Sequence, residues 1–574
     1  MILYFQFVIT SVLASPVIRP ENVFSSGHLF YRKMLLVQQS GALYVGANGH
    51  LFKLWAYNIN DTSTDKAYGH VELAITQEDI EECRENGNVE CENGVRLLLM
   101  KKNKQILLVC SSGGVRPRIY YVDAVSLEHR SLPENVIGIC SPDPRINTTA
   151  TLVEVGNPDD IPSLYSGIRT GLSFENDLIY RPPLAVNKKE IHSSMRTVYT
   201  DYRWLNDPQF VASMDIGKYV YFIFREVAVE YENCGRAVYS RIARICKKDI
   251  GGRNVLRQVW TSFVKARLNC SLVSDFPLYF DEIQAVELVS TQTDTHFYAT
   301  FNTPNTQYGG SAICLFTLSA VNQLFDQGMF LEHSDFGDIW TVTHPDHVPT
   351  YRPGSCSSDS MFISDEDLHF AKTHLLMAGA VSSETVITLP NEQLTHIAVD
   401  VIGNVNVIFS YSHSSGKIFK IVYQLDGASP RSMLLTSYTI AQSGTVFSLA
   451  LLPGEFLYLS NEWEVAQYDV SQCDIYTSCY QCARDPYCSW NIASATCSKK
   501  DVSHITAVGW ITQLGFNANI CADNVQHISL RVYPGDAVHL KCSSSSSFWY
   551  FNDIPLKESD NCQLTTHGGA ILLN

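Results

Sequence analysis

The stretch KYVYFIFREVAVEYENCGRAVYSRIARICKKDIGG, residues 218–252, decides the fold of this chain. Residues 218–226 are rich in aromatic and β-branched side chains, which favour strands. Residues 237–245 form a second run of this kind, and Cys246 ends it. Cys234, followed by glycine, lies in the turn-prone break between the two runs. The stretch therefore predicts two neighbouring strands of one antiparallel sheet, closed by a cysteine.

The same strand pattern recurs from residue 43 to residue 461. Asn48-Gly49 lies between two apolar runs, which is a strong hairpin signal. Helical patterns are few; one short helix is predicted after Thr76, with Asp79 three residues on as its capping partner. Many short strands separated by turns are typical of a sandwich, a barrel or a propeller. Because this run is too long for one sandwich, we predict an all-β protein built mainly as a β-propeller.

The composition excludes several classes of protein. The chain has 574 residues, of which 45% are hydrophobic and 17% charged, with a net charge of −16. A hydrophobic fraction of this size indicates a packed globular protein rather than a disordered one. A net negative charge argues against a nucleic-acid partner, which requires a basic surface.

Three features together favour the secretory route. Residues 1–14, MILYFQFVITSVLA, resemble a signal peptide that is cleaved after Ala14. Asn60, Asn147 and Asn269 begin N-glycosylation sequons. The chain also has 17 cysteines, a number that suits an oxidising compartment. No stretch is apolar over 18 residues, so we expect no membrane anchor and a secreted, extracellular glycoprotein.

A cysteine-rich segment follows the strands. Residues 473–497, CDIYTSCYQCARDPYCSWNIASATC, hold five cysteines, because so small a segment needs covalent links in place of an apolar core. The pair Cys479 and Cys482 is alternatively a redox or zinc motif, although no βαβ pattern surrounds it. The DPYCSW run resembles the signature of the PSI module found in plexins, semaphorins and integrins. We assign residues 472–522 to this module, with Ala483 where the family usually carries a further cysteine.

The last segment resembles an incomplete immunoglobulin-like β-sandwich. Residues 534–542 are similar to strand B with its cysteine, and residues 548–553 to strand C with its tryptophan. Residues 566–574 are similar to strand E, and the strand F that carries the second cysteine is not present. Cys562 is not at the strand F position. We assign residues 527–574 to this domain.

Taken in order, six motifs of the chain resemble the semaphorin family. The resemblance covers about residues 22–525, and the PSI signature follows where the family has it. The motifs are GICSPDPRINTT (138–149), LYSGI (164–168), MRTVYTDYRWLNDPQFVAS (195–213), the stretch 218–252, VKARLNC (264–270) with FDEIQ (280–284), and YRPGSC (351–356).

This resemblance implies a fold, a partner and a function. It implies a seven-bladed sema propeller over residues 22–470 that binds a plexin receptor on another cell. The function is then that of a dimeric, secreted guidance ligand, most similar to the invertebrate secreted class, that steers axons and migrating cells during development; viral semaphorin mimics are the alternative. The family's receptor face lies around blades three and four, within about residues 150–260, and the contact residues are unknown.

Two strand motifs depart from the family pattern. The usual CGT strand pair appears as CSSGGVRP at residues 110–117, with no second cysteine nearby. The usual VFIGTDxGxVLK strand appears as VIFSYSHSSGKIFK at residues 407–420. The first departure alters a disulfide, and the second concerns the edge of one blade.

The resemblance, with local spacing, also implies the disulfides. Cys246–Cys356 and Cys270–Cys314 follow the family's pairing, whereas Cys83–Cys91 follows from local spacing. Cys110–Cys140 is inferred from the missing partner. In the PSI module we expect Cys473–Cys488, Cys479–Cys521 and Cys482–Cys497.

The four disulfides expected in the propeller leave Cys234 without a partner, and we predict that it links two copies of the chain in a homodimer. The alternatives are a buried free thiol, or a bond from Cys234 to Cys110 or Cys140.

Three functional classes are compared with the sequence. No GxSxG, HExxH or P-loop motif is present, so no enzyme activity and no cofactor or metal is predicted. Pro345 lies between His344 and His347 and prevents their two imidazoles from sharing one face of a helix, so we expect a surface loop there. Because many propellers are enzymes, the enzyme alternative predicts converging acids in the central channel. A receptor ectodomain of the plexin type would need a membrane span downstream.

Overall fold

Residues 218–252 form the centre of one sheet. In the computed structural model, Tyr219–Val227 pairs antiparallel with Val238–Cys246 along the whole length of both strands. The structure describes residues 15–574, and the predicted signal peptide lies outside this range. Within it, the description omits residues 64–66, 86–90, 102–104, 144–145, 171–175, 273–276, 305–308, 334–338, 358, 425–430, 442–443, 502–508, 513–520, 522–536, 541–549, 552–553, 556–561, 565–569 and 574.

Seven sheets of at least four strands follow one another along the chain, and we call them blades 1 to 7. Their strands are given from the inner strand outward. Blade 1 contains Lys33–Val37, Ala42–Ala47, His50–Trp55 and Gly69–Glu72. Blade 2 contains Val95–Lys101, Ile106–Ser111, Arg118–Asp123 and Glu134–Asn135. Blade 3 contains Thr149–Val153, Ser163–Thr170, Asn176–Arg181 and Met195–Arg196. Blade 4 contains Gln209–Ile216, Tyr219–Val227, Val238–Cys246 and Val264–Leu272.

The remaining three blades complete the set. Blade 5 contains Glu282–Ser290, Thr295–Asn302, Gly310–Thr317 and Glu384–Pro390. Blade 6 contains Leu394–Ile402, Val405–Ser412, Lys417–Gln424 and Arg431–Ile440, with Val17–Ile18 added parallel at its edge. Blade 7 contains Ser448–Leu452, Phe456–Ser460, Val465–Asp469 and, from the start of the chain, Asn22–Phe24. The strand motif that departs from the family pattern forms the fully paired second and third strands of blade 6.

The seven inner strands form a closed ring. The inner strand of each blade lies beside the inner strand of the next, and the inner strand of blade 7 lies beside that of blade 1. Apolar side chains fill the space between neighbouring blades; for example, Tyr44 and Leu51 of blade 1 pack with Leu107 and Tyr120 of blade 2. Burial of these layers supplies the main favourable term of folding. The prediction of an all-β, seven-bladed propeller is therefore confirmed.

Shorter elements decorate the ring. The helix Gln77–Glu85 begins with the expected capping pair, because the Asp79 amide donates to Thr76 Oγ1 and the Thr76 amide donates to Asp79. A hairpin of Leu184–Val186 and Lys189–His192 lies between the third and fourth strands of blade 3.

An insertion of residues 318–382 divides blade 5 between its third and fourth strands. It carries two helices, and it adds a strand parallel to the outer strand of blade 4. Its elements are Leu318–Gln327, Phe330–His333, Trp340–Val342, Asp365–Thr373 and Leu376–Ser382. The short strand Leu278–Phe280 also pairs with the outer strand of blade 4.

The PSI module packs on blades 6 and 7. Its elements are the 3-10 helix Cys473–Ile475, the helix Cys479–Arg484 and the strands Cys488–Asn491, Thr496–Lys499 and Trp510–Ile511. One apolar cluster runs from blade 6 into the module and includes Phe409, Tyr468, Tyr487 and Trp490. Within this contact Lys420 of blade 6 forms a fully buried ion pair with Asp485 of the module. The Lys420 ammonium also donates to the carbonyl oxygen of Val470 at 2.8 Å.

The structure joins the same seven cysteine pairs that the sequence analysis expects. They are Cys83–Cys91, Cys110–Cys140, Cys246–Cys356, Cys270–Cys314, Cys473–Cys488, Cys479–Cys521 and Cys482–Cys497. The bond Cys246–Cys356 ties the end of the central strand of blade 4 to the insertion. The sulfur atoms of Cys473, Cys488 and Cys497 gather in a group, but each is already in a disulfide and none is available as a metal ligand.

Five short strands are described in the last segment. Ala537–Leu540 pairs with Ala570–Leu573, which also pairs with Cys562–Leu564. Tyr550–Phe551 pairs with Ile554–Pro555. The strands similar to B and E are therefore neighbours, as they are in an immunoglobulin-like sheet, and the immunoglobulin-like assignment stays a prediction. Cys542 lies outside the described residues.

Candidate functional site

Cys234 lies at one end of blade 4, between its second and third strands. A 3-10 turn, Val229–Cys234, joins the two central strands of the blade. The Ala228 amide donates to the carbonyl oxygen of Ala237 at 2.9 Å and closes the base of this turn. Cys234 is exposed and, among the described residues, forms no disulfide within the chain. Its position excludes a buried thiol and a bond to Cys110 or Cys140, which pair with each other.

A buried charge network holds this end of the blade in place. The Glu226 carboxylate accepts from Arg241 Nε at 2.9 Å and from Lys265 Nζ at 2.6 Å, and all three side chains are fully buried. Arg241 also pairs with Glu230 of the turn at 2.6 Å. Burial lowers the pKa of Lys265, although attraction to Glu226 opposes this change. The network fixes the turn and therefore the position of Cys234.

Two exposed tyrosines, a half-buried tyrosine and an arginine lie near the turn, and we call them the tyrosine patch: Tyr231, Tyr279, Tyr239 and Arg267. The rings of Tyr231 and Tyr239 are 6.2 Å apart. The guanidinium of Arg267 lies 3.7 Å from the centre of the Tyr239 ring and 5.2 Å from that of Tyr279. Tyr231 and Tyr279 are 39% and 41% exposed. Tyrosine and arginine are the residue types that most often carry binding energy in protein interfaces.

Ion pairs connect this surface to blade 3. Arg169 of blade 3 pairs with Asp177 at 2.7 Å and also with Asp207. Asp207 in turn lies 3.5 Å from Arg236, two residues beyond Cys234. These ion pairs link the surfaces of blades 3 and 4 within residues 150–260, the region in which the receptor contact is expected.

The three sequons occupy different environments. Asn60 and Asn147 are exposed in loops. Asn269 lies inside the outer strand of blade 4, and its side-chain carbonyl oxygen is buried without a hydrogen-bond partner. Asn60 and Asn147 are therefore the better placed acceptors.

The mouth of the central channel opens at the starts of the inner strands. A cavity of about 430 Å³ there is lined by Lys33, Arg96 and Glu287 among others. Burial raises the pKa of Glu287 to about 7. Among the described residues that line the cavity, Glu287 is the one carboxylate. The enzyme alternative predicts converging acids, whereas this arrangement offers a single carboxyl group with no acid partner.

Known proteins resemble this chain in sequence. The family model described as Sema domain matches residues 283–452. Semaphorin-2A of Schistocerca gregaria is 36% identical over 543 residues, which is 90% of this chain and 76% of that protein. The chain belongs to the semaphorin family. The structure of Drosophila Semaphorin 2a superposes on this semaphorin with a TM-score of 0.80 at 31% identity, over 98% of this chain and 95% of that chain.

A second solved structure is informative about partners. A chain of the structure described as Drosophila Plexin A in complex with Semaphorin 1b matches with a TM-score of 0.76 at 27% identity, over 88% of this chain and 98% of that chain. Across the described residues, no helix of this semaphorin is long and apolar enough to cross a membrane.

Proposed function

We propose that this semaphorin is a secreted guidance ligand that binds a plexin through its propeller and acts as a homodimer. The observation that carries the proposal is the match of this chain, over 88% of its length, to a chain of the Plexin A–Semaphorin 1b complex. The ion-paired surfaces of blades 3 and 4 support a receptor contact there. We further propose that Asn60 and Asn147 carry glycans.

Replacing Tyr202 with alanine tests this face. Tyr202 is 52% exposed in the loop between blades 3 and 4, and we expect its loss to weaken plexin binding about tenfold, as at an interface hot spot. Surface plasmon resonance of the glycosylated protein against a panel of plexin ectodomains measures the effect. Trp463→Ala is the matched control, because Trp463 of blade 7 is equally exposed. If the wild type binds no plexin, the receptor proposal is wrong; if only the control weakens binding, the location is wrong.

The homodimer proposal rests on Cys234. A two-fold axis brings the same residue of both copies together, and a disulfide across it would pack the tyrosine patch of each copy against the other. A covalent link holds two receptor sites together even when the ligand is dilute, which strengthens binding by avidity.

The substitution Cys234→Ser tests this link. We expect the wild type to migrate as a dimer on a non-reducing gel and the variant to migrate as a monomer. By sedimentation at nanomolar concentration, we expect the variant to be monomeric. Without the disulfide only packing holds the two copies together, and packing alone is too weak at this dilution. Asn233→Ser in the same turn is the control that keeps the thiol. A wild type that is monomeric without reductant would contradict the proposal.

A further inference from the structure

The mouth of the central channel gathers residues from all seven blades. Its cavity of about 430 Å³ is lined by residues at or just before the starts of the inner strands, from Lys33 of blade 1 to Ser448 of blade 7. A volume of this size lies in the range of sites that enclose a small molecule. The side chains that line the cavity therefore act on one shared space, although they come from distant parts of the chain.

Positive side chains line the part of the cavity that blades 1 and 2 contribute. Arg32 directly precedes Lys33, the first residue of the inner strand of blade 1, and Arg96 is the second residue of the inner strand of blade 2. The chain as a whole has a net charge of −16, so three cations around one cavity are a local departure from its composition. A cleft lined by one sign of charge concentrates ions of the opposite sign.

The two arginines are held in position by their neighbours. The Arg32 guanidinium lies 5.0 Å from the centre of the Phe30 ring and 5.1 Å from that of Phe447. Arg96 Nη2 donates to the carbonyl oxygen of Ile146. Both guanidinium groups are therefore positioned before a ligand arrives, which lowers the entropy cost of binding one.

Lys33 supplies the third cation, and its side chain is accessible to solvent. Burial of its ammonium among the surrounding residues lowers the pKa of Lys33 to about 8, and the charges of Arg96 and Arg32 act in the same direction. Among the described residues, no acidic group opposes this change. A bound anion would relieve the repulsion among these cations and favour the charged form of Lys33.

The opposite side of the cavity carries little negative charge. Glu287 of blade 5 is the acidic residue among the described residues of the lining, and burial raises its pKa to about 7. Its carboxyl group is therefore ionised in about half of the molecules at pH 7. Burial lowers the pKa of His396 of blade 6 to about 4, so this imidazole is neutral. Gln284 and Thr395 add groups that can form hydrogen bonds.

We propose that the mouth of the central channel binds a small molecule that carries a phosphate or sulfate group, and that Lys33, Arg32 and Arg96 recognise this group. A guanidinium donates paired hydrogen bonds to an oxyanion, and a lysine ammonium adds a compact positive charge. The rest of the ligand occupies the space beside Gln284 and Thr395. The convergence of three cations on one enclosed space carries the proposal, which is independent of the plexin contact on blades 3 and 4.

Isothermal titration calorimetry of the full-length protein tests the site. Asn147 is exposed at the same mouth, so its glycan is first trimmed enzymatically to a single sugar. The two anionic probes are inorganic pyrophosphate and a sulfated heparin disaccharide, and uncharged lactose is the control for size. We expect an anionic probe to bind at one site per chain and lactose not to bind. Tighter binding of the disaccharide assigns a sulfated sugar, and tighter binding of pyrophosphate assigns a phosphate compound.

Four variants locate the bound anion. Lys33→Met and Arg96→Gln should each weaken binding about tenfold or more, because each removes a charge-assisted contact, whereas Lys33→Arg should keep most of the affinity. Glu287→Gln should tighten binding about twofold or more, because it removes negative charge from the same cavity. Lys372→Met is the matched control. Lys372 is an exposed lysine of the helix Asp365–Thr373, outside the cavity, and its loss should leave the affinity unchanged.

Circular dichroism establishes that each variant is folded, and Lys33→Met decides the test if Arg96→Gln does not fold. Failure of both anionic probes to bind at millimolar concentration would overturn the proposal. Equal affinities of the folded Lys33→Met protein and the wild type would also overturn it. Binding of long heparin chains without binding of either small probe would place the anion on the outer surface, and the channel site would then be wrong.

Discussion

Replacing Glu226 with glutamine is expected to lower the free energy of unfolding by about 3–5 kcal/mol, which is the effect of removing one partner from a buried ion pair. Glu226 balances Arg241 and Lys265, and none of the three side chains is exposed. It also accepts from the amide of Asn206 at 3.1 Å, at the entrance to blade 4. Glutamine keeps the shape but removes the charge, so one buried cation is left without compensation.

Chemical denaturation of the purified protein, or its secreted yield if unfolding is irreversible, measures this loss. Glu232→Gln is the matched control, because Glu232 lies in the same turn but is exposed, and its loss should cost less than about 1 kcal/mol. A double variant, Glu226→Gln with Lys265→Met, should recover part of the stability, since the uncompensated ammonium is then absent. Equal stability of Glu226→Gln and the wild type would contradict the role of the network.

Replacing Asp485 with asparagine is expected to loosen the PSI module from the propeller. Asp485 faces the Lys420 ammonium inside the contact, and both side chains are fully buried. Asp485 also accepts from the Tyr476 hydroxyl at 2.8 Å and from the Tyr487 amide at 3.0 Å. Burial lowers the pKa of Lys420, and Asp485 is the group that most favours its charged form. Without the carboxylate the contact should lose about 3–5 kcal/mol.

Hydrogen exchange of the PSI strands and limited proteolysis between the propeller and the module measure the change. Lys499→Met is the control, because Lys499 forms ion pairs across the same contact with Glu455 and Asp469 but is 44% exposed. An exposed pair contributes at most about 1 kcal/mol, so this variant should keep the exchange rates of the wild type. If Lys499→Met exposes the module as much as Asp485→Asn does, the buried pair is not what holds it.

Local sequence patterns predict the strands well, and the reason is physical. Residues 219–224 of the strand Tyr219–Val227 are apolar on both faces, as the central strand of a blade between two other blades must be. The hairpin at Asn48-Gly49 needs only the turn chemistry of those two residues, and Gly49 has a φ of +70°. The semaphorin resemblance supplies the disulfide pairs that spacing alone leaves open.

Contacts between distant elements could not be predicted in this way. Lys420 looks like an ordinary lysine in a strand, and nothing local indicates that a carboxylate 65 positions further on will meet it. The parallel pairing of Lys265 with Leu376 depends on how the insertion folds back, which no periodicity encodes. The hydrogen bond between the His50 and His70 rings depends on the register of the strands His50–Trp55 and Gly69–Glu72, which no local pattern encodes. Cys234 is evident from the sequence but the tyrosine patch is not, because its residues are brought together from three separate segments.

The seventh blade has a consequence for the order in which the molecule folds. Its outer strand comes from the start of the chain, so Val23 pairs with Ala466, and the propeller cannot close before nearly all of it has been synthesised. At about 5–20 residues per second, this takes roughly half a minute to a minute and a half. During that time the strand Asn22–Phe24 has no partner in blade 7 and presents free backbone groups. An exposed strand edge of this kind invites aggregation. We therefore expect chaperones to protect the nascent amino-terminal segment until blade 7 emerges.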